Sequence, residues 1–298
     1  MIRLHRAVVL VAVLALPVPA RAAVDLDALW DFADPAGSER RFRAALLDAR
    51  GDDALVVTTQ IARTHGLRRD FDRARSILAE IEPMIGGAGA EARVHYHLEL
   101  GRTYASAVHP PELRTPANRE RARTEFAAAR TIAGEARRDD LAIDAIHMLA
   151  FVDPAPEDQL RWARESLAVV EASSQAEAKR WEASIRNNLG YALHQLGRHD
   201  EALDEFRRAV AIRERGTNAA STRVAWWMVA WTLRAMNRLD EALAIQSRLE
   251  RENDAAGRPD PYVYEELAAL HRAKGDATRA AFYDERRRQA QARTTEPK

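Results

Sequence analysis

Two tryptophans four residues apart, Trp227 and Trp231, fall on one face of any helix that carries them. Rings so placed can stack on an aromatic, proline or methionine side chain of a bound partner, and large rings on a surface imply such a use; burial between neighbouring structural units is the alternative. The titratable groups offer less. Glu91, His95 and Glu99 follow at four-residue steps, so either carboxylate can share an ion with His95, but two ligands do not make a metal site. His97, two residues from His95, lies on nearly the opposite side of a helix. Glu99 and Glu265 are carboxylates that could act as acid and base in a hydrolase of cell-wall glycan or peptide, yet no isolated apolar pocket for raising a carboxylate pKa is legible. No serine elbow, zinc-protease helix motif or glycine-rich phosphate loop occurs. We therefore expect a binding protein, not an enzyme, with no metal and no cofactor.

A repeat must position these residues. A small residue precedes an alanine, usually by about twelve positions, at Ala62/Ala74, Gly101/Ala122, Ala150/Ala163, Gly190/Ala202, Ala230/Ala242 and Ala268/Ala280. That distance spans one helix end, a tight turn and the next helix start, so each pair should mark a close crossing of two antiparallel helices. The alanines recur at steps of 48, 41, 39, 40 and 38, the mark of a stacked repeat. In the clearest unit, Ser184 to Arg215, Ile185, Leu189 and Leu193 have helical spacing and Leu196-Gly197-Arg198 breaks it. Asp200 is then expected to cap a second helix carrying Ala202, Leu203, Phe206, Ala209 and Val210. The next unit repeats this with Trp226, Val229, Ala230 and Leu233, a turn at Asn237, and Asp240-Glu241-Ala242-Leu243.

Leu189-Gly190, Gly197, Ala202, Phe206 and Ala209 resemble a tetratricopeptide repeat, and Trp226 falls at that repeat's core tryptophan. Leu267-Ala268, Gly275 and Ala280 carry the likeness near the C-terminus, and Leu100-Gly101, Tyr104, Ala122, Phe126 and Ala129 in the first half. The units around Ala74 and Ala163 keep only the small-residue register, and the likeness runs from about Gly51 to Arg293. The steps near 40 exceed the usual repeat of about 34 residues, as in the longer repeats of kinesin light chains, which predicts a lengthened second helix in each pair. The resemblance implies an all-α fold: a right-handed superhelical solenoid of about six antiparallel hairpins whose first helices line a concave groove. By that likeness the groove reads Thr59/Arg63, Leu98/Arg102, His147/Phe151, Asn187/Tyr191, Trp227/Trp231 and Glu265/Ala269, aromatic in the middle and polar at the ends. Family members use an asparagine at the place of Asn188 to hydrogen-bond a bound backbone, since an amide both donates and accepts; capping of a local backbone group is the alternative. The basic partners of the clamp that holds chaperone-tail carboxylates are missing, with Val224 and Met228 in neighbouring slots. The expected ligand is a protein or peptide of unspecified identity, held by Arg63, Arg102, His147, Phe151, Asn187, Asn188, Tyr191, Trp227, Trp231 and Glu265. A small-molecule sensor is a further alternative, which a closed cavity would favour over an open groove.

Residues 1–22 read as a secretory signal peptide: Arg3 and Arg6, an apolar stretch from Ala7 to Leu16, Pro17 and Pro19, and the small-x-small Ala20-Arg21-Ala22. The apolar run falls short of the roughly 20 residues of a spanning helix. Cleavage after Ala22 leaves 42 basic and 45 acidic residues, a formal charge of −3. The two signs are interleaved, so no basic footprint for nucleic acid or an anionic membrane exists. Lysine occurs only at Lys179, Lys274 and Lys298, and the abundant arginine and alanine fit a GC-rich bacterial genome. There is no cysteine, so an oxidising compartment is permitted and unused. These features point to a periplasmic or secreted protein. Residues 23–50, with Leu26, Leu29, Trp30, Phe32, Phe42, Leu46 and Leu47 around Asp34-Pro35, are expected to cap a solenoid spanning 51–293; Arg286 to Arg293 should cap the other end, and 294–298 should form a disordered tail. Between Gly101 and Ala122 an insertion, His109-Pro110-Pro111-Glu112-Leu113 and Thr115-Pro116, reads as a proline-rich loop, either a tolerated surface insertion or a binding element.

Overall fold

The computed structural model describes residues 24–295; the expected signal peptide at 1–22 and the tail residues 296–298 lie outside them. The described residues form helices and contain no strand. A single-turn α1 (Leu26–Leu29) and α2 (Pro35–Asp48) precede α3 (Gly51–Leu67) and α4 (Phe71–Ile85), the first hairpin. The second pairs α5 (Ala90–Tyr104) with α6 (Pro116–Glu135), and the third α7 (Asp139–Val152) with α8 (Pro156–Ala172). After a single-turn α9 (Ala176–Lys179) come α10 (Glu182–Gln195) with α11 (His199–Arg213), α12 (Ala219–Ala235) with α13 (Leu239–Ala255), and α14 (Pro261–Ala273) with α15 (Ala277–Thr295). The expected solenoid boundary at Arg293 thus falls inside α15.

The hairpin turns follow from local chemistry. Residues at positive φ end the first helix of four hairpins: Arg69 (66°), Gly197 (73°), Asn237 (58°) and Gly275 (80°). Side-chain caps open several helices, among them Asp70 accepting from Arg73 N, Asn218 from Ser221 N and Asp276 from Arg279 N. Asp200 differs from expectation: α11 starts at His199, which places Asp200 inside the first turn, where a carboxylate meets the positive end of the helix. The second helix is longer in four hairpins, most of all in α15 at 19 residues against 13 for α14, whereas α3 exceeds α4 by 17 to 15.

The close crossings have a cause that residue spacing alone misplaces. A Cβ added at Gly190 would stand 2.7 Å from Phe206 Cε1, and one at Gly101 2.5 Å from Phe126 Cε1. The ring four residues beyond each alanine, not the alanine itself, therefore requires glycine. The other hairpins carry alanine in place of the glycine, and Leu78, Leu167, Gln246 and Asp284 in place of the phenylalanine. Ring volume on one helix is offset by a missing methyl on its partner.

Phe42 on α2 is fully buried against Val57 and Ile61, with Leu26, Leu29, Trp30 and Leu46 packed around it, so the N-terminal residues cover the first hairpin. Phe32 and Leu47 differ from expectation and stay 60% and 77% exposed. At the other end Arg286 pairs with Glu250 and Asp254 and lies 4.3 Å over the Tyr264 ring, fixing α15 onto α13 and α14.

Candidate functional site

The first helices of consecutive hairpins form the inner layer, where α3 touches α5, α10 touches α12, and α12 touches α14. A chain of charges crosses its N-terminal end. Arg102 on α5 donates from Nη1 to Glu99 Oε1 at 2.6 Å and from Nη2 to Asp144 Oδ1 on α7 at 2.5 Å. Arg63 on α3 reaches the same Glu99 oxygen at 3.4 Å. The Glu99 and Arg102 side chains are 1% and 13% exposed, so these charge-assisted bonds are largely shielded from water. Burial alone would raise the Asp144 carboxyl, but Arg102 and Arg63 outweigh it and hold it below its ordinary value. Burial pulls the Arg63 guanidinium down, and the charge of Arg102 adds to this. That guanidinium lies over Trp30 and Phe32, at 5.5 and 5.4 Å from the ring centres. Trp30 Nε1 donates to Gln60 Oε1 at 3.0 Å, and Gln60 Nε2 meets His95 Nδ1 at 3.2 Å, which anchors the N-terminal segment on the inner layer.

Toward the middle, two depressions share His147 and Phe151. One, of about 210 Å³, is bounded by Arg63, Glu99 and Arg102 at one end and by Met148 and Phe151 at the other. The next, of about 180 Å³, is bounded by His147, Phe151, Trp162, Asn188 and Tyr191. Phe151 and Tyr191 are 43% and 41% exposed. Asn188, exposed on α10, has its amide nitrogen 3.5 Å from His147 Nδ1; its contact is with a side chain across the hairpins, not with the local backbone. Burial lowers the His147 pKa, leaving the ring neutral and able to accept.

Beyond Tyr191 the rings continue as a stack. Tyr191 and Trp231 lie 5.9 Å apart at 17°, Trp231 and Trp227 5.9 Å apart at 20°, and His194 stacks on Trp231 at 3.4 Å. Trp227 Nε1 donates to Tyr262 O at 3.2 Å. Both tryptophans are half-buried, so they are neither core residues nor free platforms. The Thr232 hydroxyl gives its proton to Met228 O, which leaves His194 to donate from Nδ1 to Thr232 Oγ1 at 3.1 Å. Burial, with His199 and Arg234 nearby, lowers the His194 pKa from 6.5 to about 4. A half-buried histidine held neutral contributes nothing to pH dependence above pH 6.5. Below it the unfolded chain takes up a proton that the folded one refuses, so stability falls from pH 6.5 to about 4, by on the order of 1 to 3 kcal/mol. Histidine NMR titration should place this ring near pH 4, and His194→Gln should flatten that part of the urea-unfolding pH profile. An ordinary titration near 6.5 would remove the argument.

A wider cleft, about 670 Å³, lies between the N-terminal segment and the inner layer, bounded by Asp25, Trp30, Arg63, His95, Asp144 and Trp181 among others. Asp27 reaches Arg180 at 3.6 Å across it. The insertion after α5 forms one turn of 3-10 helix, Pro111–Leu113. His109 anchors it: the ring is 2% exposed, stacks 3.9 Å from Phe71 and bonds through Nε2 to Thr103 O at 3.0 Å.

The structure thus brings Arg63, Arg102, His147 and Phe151 to one depression, and His147, Phe151, Asn188 and Tyr191 to the next, with Trp231 and Trp227 stacked beyond. Asn187 is half-buried and lines neither depression. Glu265, exposed on α14, pairs with Arg287 at 3.7 Å, in a different hairpin from Glu99. Three expectations for the groove need correction. Thr59 and Leu98 are fully buried, the first bonding to Val56 O and the second packing in the core with Phe126. Arg102 is not a free guanidinium at the groove end, because Glu99 and Asp144 occupy both its terminal nitrogens. Asp144 and Gln60 escape sequence reading, and Trp30 is legible only as a cap residue; for Asp144 the available signal was opposite charge about one repeat apart, as in Arg102 with Asp144 and Arg63 with Glu99.

The described residues form an all-α solenoid of six helical hairpins. The family profile described as tetratricopeptide repeat matches residues 181–250, which hold the fourth and fifth hairpins. That segment matches the tetratricopeptide repeat, and the hairpins on either side of it continue the same all-α fold. Among solved structures it is similar to a signal transduction ATPase with numerous domains that carries a tetratricopeptide repeat sensor, from Pyrococcus horikoshii. There the TM-score is 0.65 at 13% identity, over 86% of this chain and 39% of that one. The present chain therefore spans well under half of that protein. It is also similar to putative kinesin light chain repeats from Podosopora anserina, with TM-score 0.54, 14% identity and coverage of 70% and 99%. A tetratricopeptide repeat protein from Parabacteroides merdae gives TM-score 0.52, 12% identity and coverage of 89% and 91%. Comparison with curated protein sequences gives no match.

Proposed function

We propose that this protein is an exported, non-catalytic scaffold that holds a protein or peptide segment along its concave face, from the Arg63 end through His147, Phe151, Asn188 and Tyr191 to Trp231 and Trp227. The observation that carries this reading is the continuity of the two depressions with the aromatic stack across neighbouring hairpins. An extended chain would find ring faces for its side chains and the Asn188 amide for its backbone. The hydrolase alternative loses its two-carboxylate arrangement, since Glu99 is tied to arginines and Glu265 sits four hairpins away. The cleft beneath the N-terminal segment is open to solvent, so it does not supply the closed cavity that the sensor alternative calls for.

Export is read from residues 1–22, and the mass of the protein from its native host should correspond to a chain starting at Ala23; an intact Met1 in the membrane fraction would refute it. No helix of the described residues is long and apolar enough to cross a membrane. For binding, Asn188→Ala and Trp231→Ala should each weaken capture of the same partner without changing helical content. The tryptophan change should cost more, about 2 kcal/mol or above. Unchanged affinity in both folded variants would move the site off this face.

A further inference from the structure

The depression of about 210 Å³ beside the charge chain has the features of a built pocket. Its polar end is Arg63 with Glu99, and its sides are Leu67, Met148 and Phe151 on helices and Val108 on the insertion. The His109 anchor described above holds that insertion in place, so the wall it supplies is a fixed one. Glu99 is 2% exposed, and while Oε1 takes both arginines, Oε2 is buried with no partner. Arg63 Nε is likewise buried and unpartnered. A buried carboxylate oxygen without a donor is costly, and its completion by a ligand would contribute to binding.

The chemistry narrows the ligand. An ionised carboxylate only accepts and a guanidinium only donates, so a head group seated here must offer a donor and an acceptor side by side. Two arginines and two carboxylates balance the chain of charges, which favours a head group with no net charge. The pocket is smaller than the roughly 300 to 1,000 Å³ of drug-sized ligand sites, the right scale for one side chain with its peptide groups. We propose that this pocket anchors one aliphatic residue of a bound peptide, whose backbone N–H donates to Glu99 Oε2 while its carbonyl accepts from Arg63. The proposal rests on the groove reading above and names the residue chemistry that the groove selects.

The chain has methionines only at 1, 84, 148, 228 and 236, so methyl-labelled methionine gives a direct readout. Met148 lines the pocket, and Met84 and Met228 serve as references. Titration of the full chain with N-acetyl-leucine N-methylamide should shift the Met148 methyl resonance saturably and leave the references in place. The glycine analogue should bind at least about tenfold more weakly, as burial of an isobutyl group implies. Val108→Phe, which fills the pocket from the insertion and leaves the charges untouched, should abolish the Met148 response at an unchanged melting temperature. Absence of a saturable shift, an undiminished response in Val108→Phe, or tighter binding of free leucine than of the blocked amide would each overturn the proposal. Capture that depends on Trp231 reports on the groove separately: if it persists while Met148 stays silent, the anchor pocket fails and the groove reading stands.

Discussion

Arg102→Ala should lower the unfolding free energy by about 3 to 5 kcal/mol, the usual cost of removing one partner from a buried ion pair. The loss would come less from the missing bonds than from what they leave behind. Asp144 would face the interior without its cation, and Glu99 would retain only Arg63 at 3.4 Å. Arg102→Lys keeps the charge but cannot fork between two carboxylates, so it should recover part of the loss. Because Asp144 is held below its ordinary 3.8, its contribution should be present in full at neutral pH and lost only as pH falls through that lowered value. Urea unfolding at pH 7 decides the matter, and a change below about 1 kcal/mol would mean that the charges are solvated like a surface pair.

The second large effect is a rescue. Gly190→Ala places a methyl against the fully buried Phe206 ring and should cost roughly 1 to 3 kcal/mol by overpacking. Phe206→Leu should also destabilise, by leaving a cavity. Combined, they recreate the alanine and leucine found at Ala62/Leu78 and Ala150/Leu167, so the double variant should be more stable than the two separate losses predict. A thermodynamic cycle should yield a favourable coupling of about 0.5 to 3 kcal/mol. Additive losses would mean that the ring and the glycine do not compete for the same space.

The hairpins were legible because helix crossings admit only small residues and because apolar spacing near 3.6 is a local property; Gly190, Ala202 and the turn at Asn237 carry that information in their own neighbourhood. The identity of each crossing partner was less legible, since Gly190 looks equally matched to Ala202 and to Phe206 until the ring is placed. Of the site, helical periodicity could pair Trp227 with Trp231, whereas Tyr191 joined them only through the likeness to the repeat. The partners of Arg102 could not be read. Asp144 lies on a different hairpin, and whether it meets Arg102 depends on how far each unit rotates on the next, which no single repeat encodes. The cover over the first inner helices was invisible for the same reason: Trp30 reads as a cap residue, and only the packed chain shows it seated on Gln60 beside Arg63.

The two kinds of contact divide the molecule by whether a unit can be exchanged. The glycine and its ring belong to one hairpin, so a unit such as 182–213 carries its own crossing with it and could be duplicated or transplanted without upsetting that joint. The charge chain spans three hairpins, with one arginine on the first, a glutamate and an arginine on the second and an aspartate on the third. Swapping or repeating any of these would strand a buried charge. The first three hairpins are thus fixed in number and order, while the crossing within the fourth is portable.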